Sequence, residues 1–468
     1  MRNKKLKIHF IGIGGIGVSA LARYFLAQGA EVSGSDLVDS QIIEDLRKMG
    51  AKIPFSPPLQ SGGLAHRVEN IAADLDLVVY SAAVEKDNPE LIEARQRGIK
   101  CQKYAEALGE LTEKMYTIAV SGMHGKSTTT AMIGLMMEKA GSDPTVIVGA
   151  KVREWGDSNF RLGHSKYLVI EADEHNASFL NYWPKIIVLL NIEEEHLDYY
   201  RDLEHILETF KKYVSHLGED GVLVANQNDE NINKIFNFQF SNPNFEIKKY
   251  NLKLTSGLNL KIPGQYNLSN ANAAMKVAEV LGISKKTAIE SLNNFSGAWR
   301  RMEHKGEMNG ARIYDDYAHH PTEIKATLEG ARELLKIHPI PPLQKEGGKL
   351  YCVFQPHQYH RTYKLFNQFV NAFGAADQVI LLPIYSVAGR EKESIKKKVS
   401  SEMLAEAINN KMQETRYKKQ KNRSKNVIYL ETFDKTAEYL RKNLQSGDVC
   451  VIMGAGDVYN LTELLFIR

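Results

Sequence analysis

Short β-branched and apolar runs alternate with stretches of helical period over almost the whole chain. The runs fall at 7–11, 31–34, 76–80, 117–120, 167–171, 185–191, 351–354, 378–382 and 449–453. Several are continuously apolar, such as Leu168-Val169-Ile170 and Ile186-Ile187-Val188-Leu189-Leu190. Strands that alternate apolar and polar residues show one face to water. Unbroken apolar strands are buried on both faces, the pattern of a parallel sheet with helices on each side. The pattern predicts an α/β fold.

Glycine signals divide the chain into three blocks. The first opens with a strand and glycine loop near residue 8 and closes with a helix predicted over 105–113. The second starts with a fresh strand at Thr117. The third follows Phe295-Ser296-Gly297, and its first clear strand is 312–316. The domain boundaries read from this are 1–114, 115–297 and 298–468, consistent with 468 residues at about 100 to 200 per domain. Residues 338–348 carry three prolines after a predicted helix, and proline cannot continue a helix, so they read as a surface loop.

Composition narrows the function classes. With 43 % hydrophobic and 25 % charged residues, the chain can bury real cores, which excludes a largely disordered protein. The net charge is only +4, and ten basic residues lie in 396–398 and 411–425. Without aromatic or motif context these runs read as a solvated loop and not as a nucleic-acid face. Cys101, Cys352 and Cys450 are too scattered for a disulfide framework or a zinc cluster, which points to a reducing compartment. The basic start is followed by a glycine-broken apolar run too short for a signal peptide, and nothing approaches 18 apolar residues. A cytoplasmic protein with no membrane insertion is expected.

The strongest chemical signal is Ser121-Gly122-Met123-His124-Gly125-Lys126-Ser127-Thr128, between a predicted strand and a helix ending near Gly141. Such a loop turns backbone N–H groups and the positive end of a helix toward phosphate. Lys126 would reach the β- and γ-phosphates, and the Ser127 hydroxyl would ligate Mg²⁺. Only two residues separate Gly122 from Gly125, so this is not a complete Walker A loop; a plain turn would leave Lys126 exposed. ATP or a similar triphosphate is the expected ligand.

A second loop, Gly12-Ile13-Gly14-Gly15-Ile16-Gly17, follows the first strand and opens a helix, and a second strand ends at Gly34-Ser35-Asp36. The spacing suits a dinucleotide such as NAD, and equally the diphosphate of a nucleotide sugar. Glu171-Ala172-Asp173-Glu174 and Asn191-Ile192-Glu193-Glu194-Glu195-His196 lie at neighbouring strand ends, where carboxylates and one imidazole could share a metal with phosphates. His196 alone reads equally as a half-buried histidine at a helix start. Asp315-Asp316-Tyr317-Ala318-His319-His320-Pro321 allows metal binding, base or ribose contact, or plain helix capping.

The ordered set formed by these motifs, with Tyr266-Asn267-x-x-Asn270 and Arg300-Arg301, resembles the Mur ligases over essentially the whole chain, and within them the alanine-adding branch. The resemblance implies a Rossmann-like N-terminal domain for a UDP-sugar, a central P-loop domain for ATP and Mg²⁺, and a Rossmann-like C-terminal domain for the amino acid. It implies UDP-sugar contacts at Gly12, Gly14, Gly15, Gly17, Ser35, Asp36 and Ser81. It implies ATP contacts at Gly122, His124, Gly125, Lys126, Ser127, Thr128, Asn267, Asn270, Arg301 and Asp316. Metal ligands would be Ser127, Glu171 and His196, with Lys126, His196 and Arg301 closest to the chemistry. Gln355-Pro356-His357-x-x-x-Arg361-Thr362 resembles the family's amino-acid segment, making Arg361, with His320, the expected partner of alanine.

The chain departs from the family pattern at Met123, Ser127, Glu195, Tyr266 and Met302. The implied reaction joins L-alanine to UDP-N-acetylmuramate at the expense of ATP, in peptidoglycan precursor synthesis, by a monomer or weak homodimer. A recycling member that adds a whole tripeptide is the nearest rival. An NAD-dependent dehydrogenase would leave the Lys126 loop unused.

Overall fold

The computed structural model describes residues 4–54, 71–72, 74–196, 199–236, 245–253, 255–337, 348–386, 393–418 and 426–466. Among them, three sheets form where the apolar runs lie. The first contains β1 (Lys7–Ile11), β2 (Glu31–Ser35), β3 (Leu77–Tyr80) and β4 (Cys101–Lys103), all parallel, in the order β2-β1-β3-β4. The second contains β5 (Tyr116–Ser121), β6 (Thr145–Val152), β7 (Ser158–Arg161), β8 (Tyr167–Ala172), β9 (Ile186–Leu189), β10 (Val222–Asn226) and β11 (Glu246–Tyr250). Its order is β11-β10-β9-β5-β8-β6-β7, parallel except for the β6–β7 edge pair.

The third sheet contains β12 (Glu303–Met308), β13 (Ala311–Asp316), β14 (Leu350–Phe354), β15 (Gln378–Leu381), β16 (Asn426–Tyr429) and β17 (Val449–Met453). Its order is β12-β13-β17-β14-β15-β16, with only β12 antiparallel. The α/β class follows as the sequence predicts. The chain falls into two compact units, Met1–Asn259 with Asn270–Asn294, and Leu260–Ser269 with Phe295–Arg468. The first unit holds the first two sheets and the second unit holds the third.

Central strands carry the continuous apolar runs for the reason given by the sequence. Ile118, Ala119, Val120 and Ile186 through Leu189 have no exposure at all. Inside the first unit, the helix Ile16–Ala27 packs against β6 and β7, and buried Asn159 donates to the Ser19 hydroxyl at 3.0 Å. Gly109, on the helix Tyr104–Lys114, lets the Asn181 carbonyl pass so closely that a Cβ there would stand 2.4 Å from its oxygen. In the second unit Phe354 is enclosed by Phe369 and Phe373, at 5.8 and 5.5 Å between ring centres.

The runs named above leave β4, β6, β7, β10, β11, β12 and β16 unmarked, and of these β6 and β10 are buried strands with apolar runs of their own, Val146-Ile147-Val148 and Val222-Leu223-Val224. β11 reads EIKKY and β12 reads EHKGEM; both are edge strands with polar, largely exposed residues, so their pairing comes from backbone hydrogen bonds to a buried neighbour. Two short helices, Tyr359–Lys364 and Phe366–Val370, follow β14 and are broken at Leu365. One expectation needs correction. The basic run beginning at Lys411 is not a loop as far as Lys418, because the helix Ser401–Lys418 carries it. Residues 419–425 lie outside the described residues, as do 338–347 of the proline-rich segment, which follows the helix Pro321–Ile337.

Candidate active site

Strand register decides which loops meet. Ser121 at the end of β5 pairs with Ala172 of β8 and Leu189 of β9, so the glycine loop, 171–174 and 191–196 leave the central sheet side by side. Gly122 and Gly125 have φ of 135° and 86°, and a Cβ at Gly125 would stand 2.5 Å from the Asn270 Oδ1. Only glycine takes that backbone and that contact. The helix Lys126–Lys139 starts here, with Ser127 and Thr128 buried in its first turn. Asn191 clamps the loop from the next strand end: its Oδ1 accepts from the His124 amide at 2.8 Å and its Nδ2 donates to the His124 carbonyl at 2.9 Å.

Lys126 is not the exposed lysine of a plain turn. Its ammonium donates to the carbonyls of Gly122 at 2.7 Å and Met123 at 3.2 Å, and to both oxygens of Glu174 at 3.0 and 2.9 Å. The Glu174 side chain is fully buried, and its Oε1 also meets the His196 Nε2 at 3.1 Å. Burial opposes each of these charges, yet the attractions win. The Glu174 carboxyl is held down at about 2 by Lys126 and His196, while Lys126 and His196 are raised by their carboxylate neighbours. His196 sits in a loop at φ 53°, not at a helix start; the next helix is Leu203–Val214. A non-glycine residue there carries strain of about 1–3 kcal/mol, which the surrounding contacts sustain.

The donors suit a hard divalent cation. Asp173, Glu174 and His196 each offer a ligand atom within 4.8 Å of the others, and carboxylate oxygens with one imidazole are acceptable to Mg²⁺. Glu171, by contrast, has its Oε1 on the amide of Gly149. The motif-based set of Ser127, Glu171 and His196 does not include Glu174, whose partner Lys126 lies 48 residues away in sequence.

The first sheet presents its own glycine loop. Gly12 and Ile13 donate to the Ser35 carbonyl at 2.8 and 3.1 Å, and the Gly14 amide donates to Asp36 Oδ2 at 2.8 Å. Ile11 pairs with both Ser35 and Tyr80, which puts Ser81 beside the loop, its Cβ 3.1 Å from where one would stand on Gly12. A Cβ on Gly14 would lie 3.0 Å from Asp36 Oδ2, and one on Gly17 3.1 Å from the Tyr104 ring; Gly15 receives the Ser19 amide at 2.8 Å as the helix begins. The sequence-predicted residues of this loop are thus together.

In the second unit β13, β17 and β14 end at the same level, since Met453 pairs with both Asp316 and Phe354. Asp316 is buried and accepts from the amides of Met302 at 2.7 Å and Ala318 at 2.9 Å, and from the Thr327 hydroxyl at 3.2 Å. Burial raises its carboxyl. Arg301 lies between two residues in left-handed backbone, Arg300 and Met302, and its guanidinium stands 4.9 Å from the Tyr317 ring centre. Tyr266 is half-buried, with its hydroxyl pushed up by desolvation, and Asn267 donates to the Pro263 carbonyl at 2.7 Å.

His320 is buried where the helix Pro321–Ile337 begins, its amide donating to Glu323 at 3.2 Å, the capping alternative. Arg361 lies in the helix Tyr359–Lys364, with Nη1 3.2 Å from His357 Nδ1. His357 in turn stacks on Tyr385, with ring centres 5.4 Å apart and planes 9° apart. Sequence reading did not find Glu174, Asn191 or Tyr385 as site residues. Only the first two had a signal, as members of quoted motifs.

Comparison with known proteins agrees over the whole chain. The Mur ligase family catalytic domain model matches residues 7–116, the Mur ligase middle domain 120–278, and the Mur ligase glutamate ligase domain 300–456. The UDP-N-acetylmuramate–L-alanine ligase of Clostridium beijerinckii is 39 % identical over 99 % of this chain and 98 % of its own. Among solved structures, the UDP-N-acetylmuramate-alanine ligase of Thermotoga maritima is 25 % identical with a TM-score of 0.74, covering 98 % of both chains. A murein peptide ligase of Psychrobacter arcticus, 23 % identical with a TM-score of 0.66 over 98 % of each chain, shares the fold.

Proposed function

This chain belongs to the Mur ligase family, and from that premise we propose that it joins L-alanine to the lactyl carboxylate of UDP-N-acetylmuramate while ATP becomes ADP and phosphate. The observation that carries the reading is the partly buried Lys126 ammonium at the mouth of the glycine loop, at the start of a helix and beside a carboxylate–imidazole group. That is the equipment of an ATP-dependent ligase. A dehydrogenase has no use for it.

The lactyl carboxylate attacks the γ-phosphorus of ATP, ADP leaves, and an acyl phosphate results. The amine of L-alanine then attacks the acyl carbon, gives up its proton, and phosphate departs as the amide forms. Phosphoryl transfer asks mainly for positioning and charge neutralisation. Lys126, the loop amides and Arg301 supply it on the protein side. Mg²⁺, held by Ser127, Glu171, His196 and their neighbours Asp173 and Glu174, would supply further positive charge to the phosphates.

Gly125 and Asn270 shape the phosphate cradle, while Asn267 and Asp316 belong to the ATP site. The loop Gly12–Gly17 with Ser35, Asp36 and Ser81 takes the UDP-sugar diphosphate on its backbone amides. Arg361 and His320 take the amino acid, whose methyl group offers only about 1 kcal/mol of burial, so its charged ends must carry recognition. We assign these roles to the domains 1–114, 115–297 and 298–468, and the activity to a monomer or weak homodimer in the cytoplasm. No helix among the described residues is long and apolar enough to cross a membrane.

The test is phosphate release with UDP-N-acetylmuramate and ATP across a panel of amino acids, with the tripeptide L-Ala-γ-D-Glu-meso-diaminopimelate as competitor. Release dependent on L-alanine supports the reading. Release dependent on the tripeptide alone would make this the recycling ligase.

A further inference from the structure

The Lys126–Glu174 pair poses a problem for any phosphate that needs the lysine. The ammonium has three hydrogens, and the two loop carbonyls together with Glu174 use them. A β- or γ-phosphate oxygen can bond to this ammonium only by replacing one of these acceptors. The carbonyls belong to the loop that shapes the site; the carboxylate is the acceptor whose negative charge repels an arriving triphosphate.

Yet Glu174 is fully buried, and breaking a buried pair by withdrawing one partner leaves an uncompensated charge. Another cation has to replace the lysine. The grouping of Asp173, Glu174 and His196 gives it a place, with ligand atoms within 4.8 Å of one another.

We propose that Glu174 is a positioning residue that makes triphosphate binding conditional on a divalent cation: it holds Lys126 until the phosphate takes the ammonium, and its carboxylate then passes to the cation. Two exchanges are coupled, lysine from carboxylate to phosphate and carboxylate from lysine to metal. Neither is favourable alone, because the first leaves the buried carboxylate with His196 as its remaining partner and the second leaves the ammonium with only the two loop carbonyls. The proposal rests on the reading of the Lys126 loop as the ATP site.

The experiment is calorimetric titration of the full-length protein with ATP, in EDTA and in Mg²⁺, for the unsubstituted protein and for Glu174→Gln. Replacing the carboxylate by an isosteric amide removes the competing charge, so Glu174→Gln should bind ATP in EDTA at least about tenfold more tightly than the unsubstituted protein, and should narrow the gap between the two conditions. A residue that only supports the fold would move affinity the other way, so unchanged or weaker binding in EDTA overturns the proposal.

A second arm needs no substitution and decides the matter if Glu174→Gln does not fold. In EDTA the unsubstituted protein should bind ATP no more than about threefold more tightly than AMP, since the lysine is unavailable to the outer phosphates. A tenfold or larger preference for ATP would overturn the proposal. Lys126→Ala separates the two ideas: normal turnover by that variant discards the ATP site itself, whereas lost turnover with no effect of Glu174→Gln discards only the exchange.

Discussion

Both glycine loops of the first unit have an acid against the group that would grip phosphate, but they do so differently. In the first sheet Asp36 is half-buried and accepts two backbone amides, that of Gly14 at 2.8 Å and that of Val38 at 3.3 Å. In the central sheet Glu174 is fully buried and grips an ammonium with both oxygens. A half-buried acid can release the Gly14 amide at the cost of one hydrogen bond, about 0.5–1.5 kcal/mol. An acid buried against a lysine cannot leave without a substitute. The contrast teaches that one sequence motif class, glycines between strand and helix, yields a cradle open to a diphosphate in one place and a cradle under charge control in the other.

The largest effect expected from breaking the comparison is on the central loop. Lys126→Ala should lower turnover by at least about 10², because the ammonium acts on charge that develops in transfer. Steady-state phosphate release from the folded variant checks it. In the first loop the determinant is backbone access. Gly14→Val places side-chain atoms where Asp36 and an approaching diphosphate must lie, and should weaken UDP-N-acetylmuramate binding about 10- to 100-fold while ATP binding holds. Tight NAD binding by the unsubstituted protein, with none of the UDP-sugar, would contradict the assignment.

Arg361, proposed for the carboxylate of the amino acid, sharpens the contrast, since here the cation is a guanidinium beside the His357 ring. A lysine cannot reproduce its two parallel hydrogen bonds to a carboxylate. Arg361→Lys should raise the KM for L-alanine about tenfold and leave those for ATP and UDP-N-acetylmuramate nearly unchanged. An unchanged KM for alanine removes Arg361 from the amino-acid site.

The smallest effect separates two buried carboxyls. Glu174 has a lysine and is held at about 2; Asp315 has a Thr462 hydroxyl at 2.8 Å and the more distant Arg300, and burial pushes it up to about 7. Its folded value lies above the ordinary 3.8, so the fold favours the protonated form. The resulting contribution is full below about 3.8 and is lost as pH rises through 7. Asp315→Asn should therefore remove a fall in melting temperature between acid and neutral pH, raising it by about 2–4 °C at pH 8. Equal slopes in the two proteins would show that Asp315 is not the group responsible.

Much of the fold was legible where burial wrote itself as apolar runs, although β6 and β10, buried and apolar, were passed over. β5, β8, β9, β14 and β17 were each visible because helices cover both faces, while β11 and β12 were not, because an edge strand can be polar and still pair. The loops were legible as well, since glycine and lysine spacing is local. Roles that depend on distant partners were not. Glu174 stands in a motif with two other acids, and nothing local says which of them meets Lys126. Asn191 reaches His124 across 67 residues. Tyr385 has no motif at all; its place beside His357 arises from the pairing of β14 and β15.

Asn191 also bears on what an arriving ligand meets. By bonding both the amide and the carbonyl of His124, a single side chain acts as a short extra strand and keeps the loop in one shape. A loop that must order itself on ligand arrival loses on the order of 1–2 kcal/mol of backbone entropy for each residue fixed. Here that loss is met when the chain folds, so whatever ligand this loop takes meets a mould already finished, with His124 held at both its amide and its carbonyl.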